Sequence, residues 1–166
     1  SMVPNVFVTG YFDPFTEGHL DLVQRAAPLF QELIILLAEN TQKKYLFSLE
    51  NRLAWVKKAV SEIPNVRVES YSGLTVDFMK QVNATYLIRG VRSALDFEYE
   101  RSVAKKKKKM YGLSETILLP CAMEYSTISS SLVRELLRFS ASLRGFVPES
   151  IRESVETKGK EILCSE

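Results

Sequence analysis

Two unbroken apolar runs, Leu33-Ile34-Ile35-Leu36-Leu37 and Ile117-Leu118-Leu119, limit what this chain can fold into more than any other feature. An alternating strand has one face to bury. A continuous apolar strand needs cover on both faces, as in a parallel sheet flanked by helices. The rest of the chain offers that cover. Strand-like segments at 3–8, 32–37, 66–70, 85–88 and 116–119 alternate with helical patterns. The first helix starts at Gly18-His19 and carries Leu20, Val23, Ala27 and Phe30 on one face. Ser48 is placed to cap a second, with Leu49, Leu53, Val56 and Val60 as its apolar face. A third spans about 75–82 and a fourth about 95–110. Ser129 caps a fifth carrying Leu132, Val133, Leu136 and Leu137. Pro148 stands where a last helix with Ile151, Val155 and Ile162 begins. This order predicts a doubly wound α/β fold: a five-stranded parallel sheet, Rossmann-like, with helices on both faces. With no repeat or linker, residues 2–166 are expected to form a single domain, Ser1 being set aside as a tag remnant.

Composition narrows the function classes only modestly. A formal net charge of +2 gives no basis for a nucleic-acid partner. Cys121 and Cys164 form neither a disulfide framework nor a metal-ligand set, which suits a reducing cytoplasm. No apolar stretch approaches a membrane span and no signal peptide precedes the first strand, so a cytoplasmic protein without membrane contact is expected.

In open parallel sheets ligands bind beyond the carboxyl ends of the strands. The conspicuous polar residues stand there. Strand 1 runs into Thr9-Gly10-Tyr11-Phe12-Asp13-Pro14-Phe15-Thr16-Glu17-Gly18-His19, a strand, glycine-containing loop and helix start that aims backbone N–H groups at an anion. The chain's single histidine, at that helix start, can donate to a phosphate whose charge the helix dipole favours. Strand 4 runs into Arg89-Gly90-Val91-Arg92, whose guanidinium groups suit phosphate oxygens. Surface pairing with Asp96, Glu98 or Glu100 would account for one of these arginines better than for both. Ser129-Ser130-Ser131 opens another helix and offers hydroxyls and unpaired N–H groups. Lys43-Lys44 follows strand 2. The run from Lys105 to Lys109 wraps around its helix, about 100° per residue, and reads as a solvated helix end.

Taken together, several motifs closely resemble the bacterial phosphopantetheine adenylyltransferase family. They are Phe12-Asp13-Pro14, Thr16-x-Gly18-His19, Leu87-Ile88-Arg89-Gly90-Val91-Arg92, Asp96-Phe97-Glu98-Tyr99-Glu100 and Ile128-Ser129-Ser130-Ser131-Leu132-Val133-Arg134-Glu135. That family belongs to the HxGH-type nucleotidyltransferases. The resemblance implies adenylyl transfer from ATP, with Mg²⁺, to 4′-phosphopantetheine, giving dephospho-coenzyme A and pyrophosphate. It also implies roles. His19, Lys43 and Arg92 would be catalytic, with His19 on the α-phosphate. Lys43 and Arg89 would hold the acceptor phosphate, and Thr75 would lie beside the pantetheine arm. Arg92, Ser129, Ser130 and Ser131 would take the ATP phosphates. Gly90, Val91, Glu100, Tyr125, Ser126, Thr127 and Ile128 would place the nucleoside, Tyr11 and Phe12 of the loop after strand 1 would also contact ATP, and Tyr11 would contact the acceptor as well. A homo-oligomer, a hexamer, is implied as well. Three departures stand out. Tyr11 replaces the family's usual threonine or serine, Lys106 and Lys107 lie on the helix lining the pantetheine arm, and Phe139-Ser140-Ala141-Ser142 replaces a Gly-Asp turn. The rival readings are another small-molecule nucleotidyltransferase, or a nucleotide-binding protein that has lost catalysis.

Overall fold

Both apolar runs become interior strands or lie beside them. The computed structural model describes residues 3–82, 86–111 and 115–164. Strands β1 (Val3–Gly10), β2 (Phe30–Ala38), β3 (Val66–Tyr71), β4 (Tyr86–Val91) and β5 (Glu115–Pro120) form one sheet in the order β3-β2-β1-β4-β5. Every pairing is parallel. Helices α1 (Glu17–Ala26), α2 (Leu49–Ala59), α3 (Thr75–Gln81), α4 (Ala94–Tyr111), α5 (Ser130–Arg138) and α6 (Glu149–Cys164) connect and cover it. Leu33 through Leu37 are all fully buried. Leu33, Ile35 and Leu37 pack into one apolar cluster with Val23, Val56, Val133 and Val155 from α1, α2, α5 and α6. Ile34 and Leu36 turn the other way, onto Phe7, Leu87 and Met79 of α3. That two-sided cover is what the uninterrupted run requires. Gly159 lets α6 close on α5, since a Cβ there would come within 2.8 Å of Leu137 Cδ2.

Two boundaries differ from the sequence reading. Phe30 does not belong to the first helix; α1 ends at Ala26, a 3₁₀ turn covers Ala27–Leu29, and Phe30 opens β2. Pro28 lies in that turn, and without an N–H it cannot continue the helical ladder. The start also shifts, because Thr16 is the N-cap and its Oγ1 accepts from the His19 N–H at 3.2 Å. Thr85, expected to open strand 4, lies outside the described residues. No helix among the described residues is long and apolar enough to cross a membrane.

The strand order reverses between β1 and β4, the neighbours whose following connections leave in opposite directions. This is the switch point at which open α/β sheets hold ligands. Arg89 on β4 spans it, its Nη1 donating to Thr9 O of β1 at 2.7 Å.

Candidate active site

The loop after β1 is held from three directions. Asp13 is buried, and its Oδ1 and Oδ2 accept from the Phe47 and Leu46 N–H groups at 3.0 and 2.9 Å. Arg134 of α5 donates to Asp13 O at 2.7 Å, and Arg52 of α2 donates to Tyr11 O at 2.9 Å. Phe12 sits at φ 51°, and a Cβ on Gly10 would approach its ring at 3.1 Å. Gly10 thus leaves room for a ring that folds back over the strand end.

His19 completes a capping box. The Thr16 N–H donates to His19 Nδ1 at 2.9 Å, so Nδ1 is the acceptor nitrogen and the neutral ring carries its proton on Nε2. Phe12 and Phe15 pack on the ring with centroids at 4.9 and 5.4 Å. This burial, reinforced by the positive charges of Arg89 and Arg92, pushes its pKa down to about 4. At neutral pH His19 is a fixed, uncharged Nε2–H donor.

A cavity of about 460 Å³ opens beside it, with Tyr11, Phe12, His19, Lys43, Arg89, Gly90, Arg92, Glu100, Ile128, Ser129, Ser130 and Ser131 of the expected residues on its wall. Val91, Tyr125, Ser126 and Thr127 do not line it. Val91 is tied up in the sheet edge, its carbonyl accepting from the Cys121 N–H at 2.8 Å. Tyr125 ends a 3₁₀ turn (Met123–Tyr125) that Ser126 and Thr127 follow, and the Ser126 hydroxyl donates back to Met123 O. Thr75 lines a second cavity of about 350 Å³, which shares Thr9, Gly10, Tyr11, Arg89, Tyr99 and Glu100 with the first. Lys107 also projects there, whereas Lys106 lines neither cavity. Half-burial and the neighbouring Arg89 push the Lys107 pKa down, partly countered by Glu100. The lysine run is therefore not wholly a solvated helix end.

The arginines correct a second expectation, because both are paired. Glu100 grips Arg89 with two contacts of 3.2 Å, and Arg92 Nε lies 3.5 Å from Asp96. Pairing has not withdrawn them, since both still line the cavity. It does place Glu100 under Arg89. The three serines divide similarly. Ser129 Oγ caps the Leu132 N–H, Ser130 Oγ donates to Pro14 O, and Ser131 Oγ accepts from Arg134. The Ser130 hydroxyl thereby fastens α5 to the β1 loop, while the other two bond within α5. What remains for an anion is the pair of first-turn N–H groups at Ser130 and Ser131, which lack intrahelical acceptors by position. At α1, Glu17 N–H goes to Phe146 O and His19 N–H to Thr16, leaving that of Gly18. Two helix N-termini thus contribute to one cavity, and both favour negative charge.

Sequence reasoning missed Arg25, Tyr99, Cys121 and Arg134 on the cavity wall. Arg134 had a usable signal: it lies four residues after Ser130, one helical turn along the same face. The carboxylates around the cavity already have partners, with Asp13, Asp96 and Glu100 held as above and Asp21 on Arg25 at 3.1 Å. No group of three or more metal-ligating side chains occurs among the described residues.

A cytidylyltransferase-like family model matches residues 7–136, from β1 through α5. A phosphopantetheine adenylyltransferase of Dictyoglomus thermophilum is 44% identical over 149 residues, covering 90% of this chain and 91% of that relative. One from Tolumonas auensis is 42% identical over 157 residues, covering 95% and 96%. Among solved structures, a Vibrio parahaemolyticus protein provisionally assigned as a nicotinate-nucleotide adenylyltransferase superposes with a TM-score of 0.72. It is 12% identical, covers 95% of this chain and 94% of its own, and carries the argument for fold alone. Matched over most of its length by that family model and by these relatives, the chain belongs to the cytidylyltransferase-like family, in its phosphopantetheine adenylyltransferase branch.

Proposed function

We propose that this protein transfers the adenylyl group of ATP to 4′-phosphopantetheine, releasing pyrophosphate and forming dephospho-coenzyme A. One observation carries the reading: a neutral His19 Nε2–H donor in a cavity that also receives Lys43, Arg89, Arg92 and the N-termini of α1 and α5. The acceptor phosphate is itself an anion, so no base and no covalent enzyme intermediate is needed. The chain's task is to bring two like-charged phosphates together and stabilise the charge that develops at the α-phosphorus. His19 donates to the α-phosphate without losing its proton. Arg92 and the first-turn N–H groups of α5 hold the departing phosphates. Lys43 and Arg89 hold the acceptor phosphate, while the second cavity, with Thr75 and Lys107, takes its arm.

Mg²⁺ fits this site as a companion of ATP, since the surrounding carboxylates are committed to protein partners. Bound there, it would neutralise phosphate charge using substrate and water oxygens. We place the enzyme in the cytoplasm as a homo-oligomer, a hexamer. The exposed Leu95 and Tyr99 of α4 support an apolar contact between copies. Pyrophosphate release, assayed with ATP and in turn 4′-phosphopantetheine, nicotinamide mononucleotide and glycerol phosphate, tests the reading. Release is expected with the first alone. ATP binding without release would favour a nucleotide-binding protein that has lost catalysis.

A further inference from the structure

Tyr11 lies on the cavity wall, and its ring is not idle. Lys43 Nζ lies 3.7 Å from the centroid of the Tyr11 ring, well within cation–π range. The same ammonium is 5.7 Å from the Tyr45 ring, and the two rings stand 5.6 Å apart. The Tyr45 ring is fixed in turn. The buried Arg52 guanidinium stacks on it at 4.0 Å, and its hydroxyl accepts from the Asn40 N–H at 3.0 Å. Arg52 closes the circuit by donating to Tyr11 O at 2.9 Å and to Phe47 O at 3.0 Å. Two segments from different strand ends are thereby locked together around one lysine. Lys44, next in sequence and equally exposed, has no ring contact among the described residues.

Lys43 is an exposed side chain on a connecting segment, and left alone it would sample many rotamers. A lysine fixed before the anion arrives loses less freedom on binding than one that must be ordered. The ring face does this without consuming a donor, because it attracts the ammonium electrostatically and leaves its N–H groups for oxygen ligands. We propose that Tyr11 is a positioning residue for Lys43, holding its ammonium over the ring face at the cavity wall, where it meets the phosphate of the acceptor. The proposal rests on the acceptor role of Lys43 in the function proposed above.

The test compares the parent with Tyr11→Leu, Tyr11→Phe, Lys43→Ala and the Tyr11→Leu/Lys43→Ala double variant, assayed by pyrophosphate release with 4′-phosphopantetheine. Tyr11→Leu should raise the acceptor KM about five- to tenfold, the range for losing a cation–π contact and re-ordering a lysine. The ATP KM should move much less. Tyr11→Phe, which keeps the ring face, should recover most of the loss. In the Lys43→Ala background Tyr11→Leu should add nothing. An equal loss in both backgrounds overturns the proposal, and so does a gain of acceptor affinity in Tyr11→Leu. A second measurement stands apart from turnover. The Lys43 ε-methylene protons should show an upfield ring-current shift by NMR in the parent and in Tyr11→Phe, but not in Tyr11→Leu. Should Tyr11→Leu fold poorly, Tyr11→Met serves in its place. A parent that shows the NMR shift but no turnover sinks the proposed function alone; a parent without the shift sinks this inference alone.

Discussion

His19 shows how one backbone hydrogen bond decides the chemistry of a side chain. With Nδ1 engaged by the Thr16 N–H and the ring packed between Phe12 and Phe15, only the neutral Nε2–H form suits the site. Because its folded pKa, about 4, lies below the ordinary value of 6.5, folding is favoured by this residue above pH 6.5. That contribution is lost as pH falls from 6.5 through 4, since the unfolded chain then takes up the proton first. This is the chain's single histidine, so one imidazole signal should titrate near 4 by NMR. A midpoint near the ordinary value would mean the ring is not packed as described. His19→Ala should lower kcat far more than it raises either KM, by ~2.7–4 kcal/mol in the barrier if it is a transition-state donor. Turnover close to that of the parent would reduce it to a helix cap. The sequence showed that a histidine opens this helix. It could not show the tautomer, which depends on a hydrogen bond from a backbone group three residues earlier.

At the scale of elements, the strands were legible wherever burial on both faces forced an unbroken apolar run, as in β2. The first helix was misread where Phe30 fitted both a helical face and a strand, and Pro28 decided between them. Arg52 was not legible at all, because a fully buried arginine looks like any charged residue of a surface helix. Asp13 is the comparable case in a loop. Asp13→Ala should leave the Leu46 and Phe47 N–H groups without acceptors and cost about 2–6 kcal/mol, at ~1–3 kcal/mol for each unsatisfied group. Urea denaturation measures the loss; a change within about 0.5 kcal/mol, the range of an ordinary surface substitution, would show that the loop does not depend on it. On α4, the acceptor phosphate held by Arg89, whose positive charge already acts on Lys107, should raise that residue's lowered pKa. Binding in alkaline buffer should then take up a proton, and acceptor affinity should fall as pH rises through the Lys107 pKa. Calorimetry in buffers of different ionisation enthalpy reads this uptake, which Lys107→Met should remove.

The whole molecule gathers its site from strand ends far apart in the chain. Asp13 meets Phe47 across 34 positions and Arg134 across 121, while Arg89 reaches Thr9 across 80. Contacts of that span form late, because long loops must close before they are rewarded. Trp55, the only tryptophan, packs against Phe47 at 4.7 Å and donates to Ser154 Oγ of α6 at 3.0 Å. Its fluorescence therefore reports the docking of α2 on α6. During refolding, recovery of ATP binding should trail that signal or coincide with it. Binding competence that returns first would mean the β1 loop takes its shape before α6 docks on α2. The three-way fastening of that loop thus makes competence a late product of folding. Nascent chains that have not reached Arg134 should be unable to sequester ATP, so partly synthesised copies would not drain the nucleotide pool.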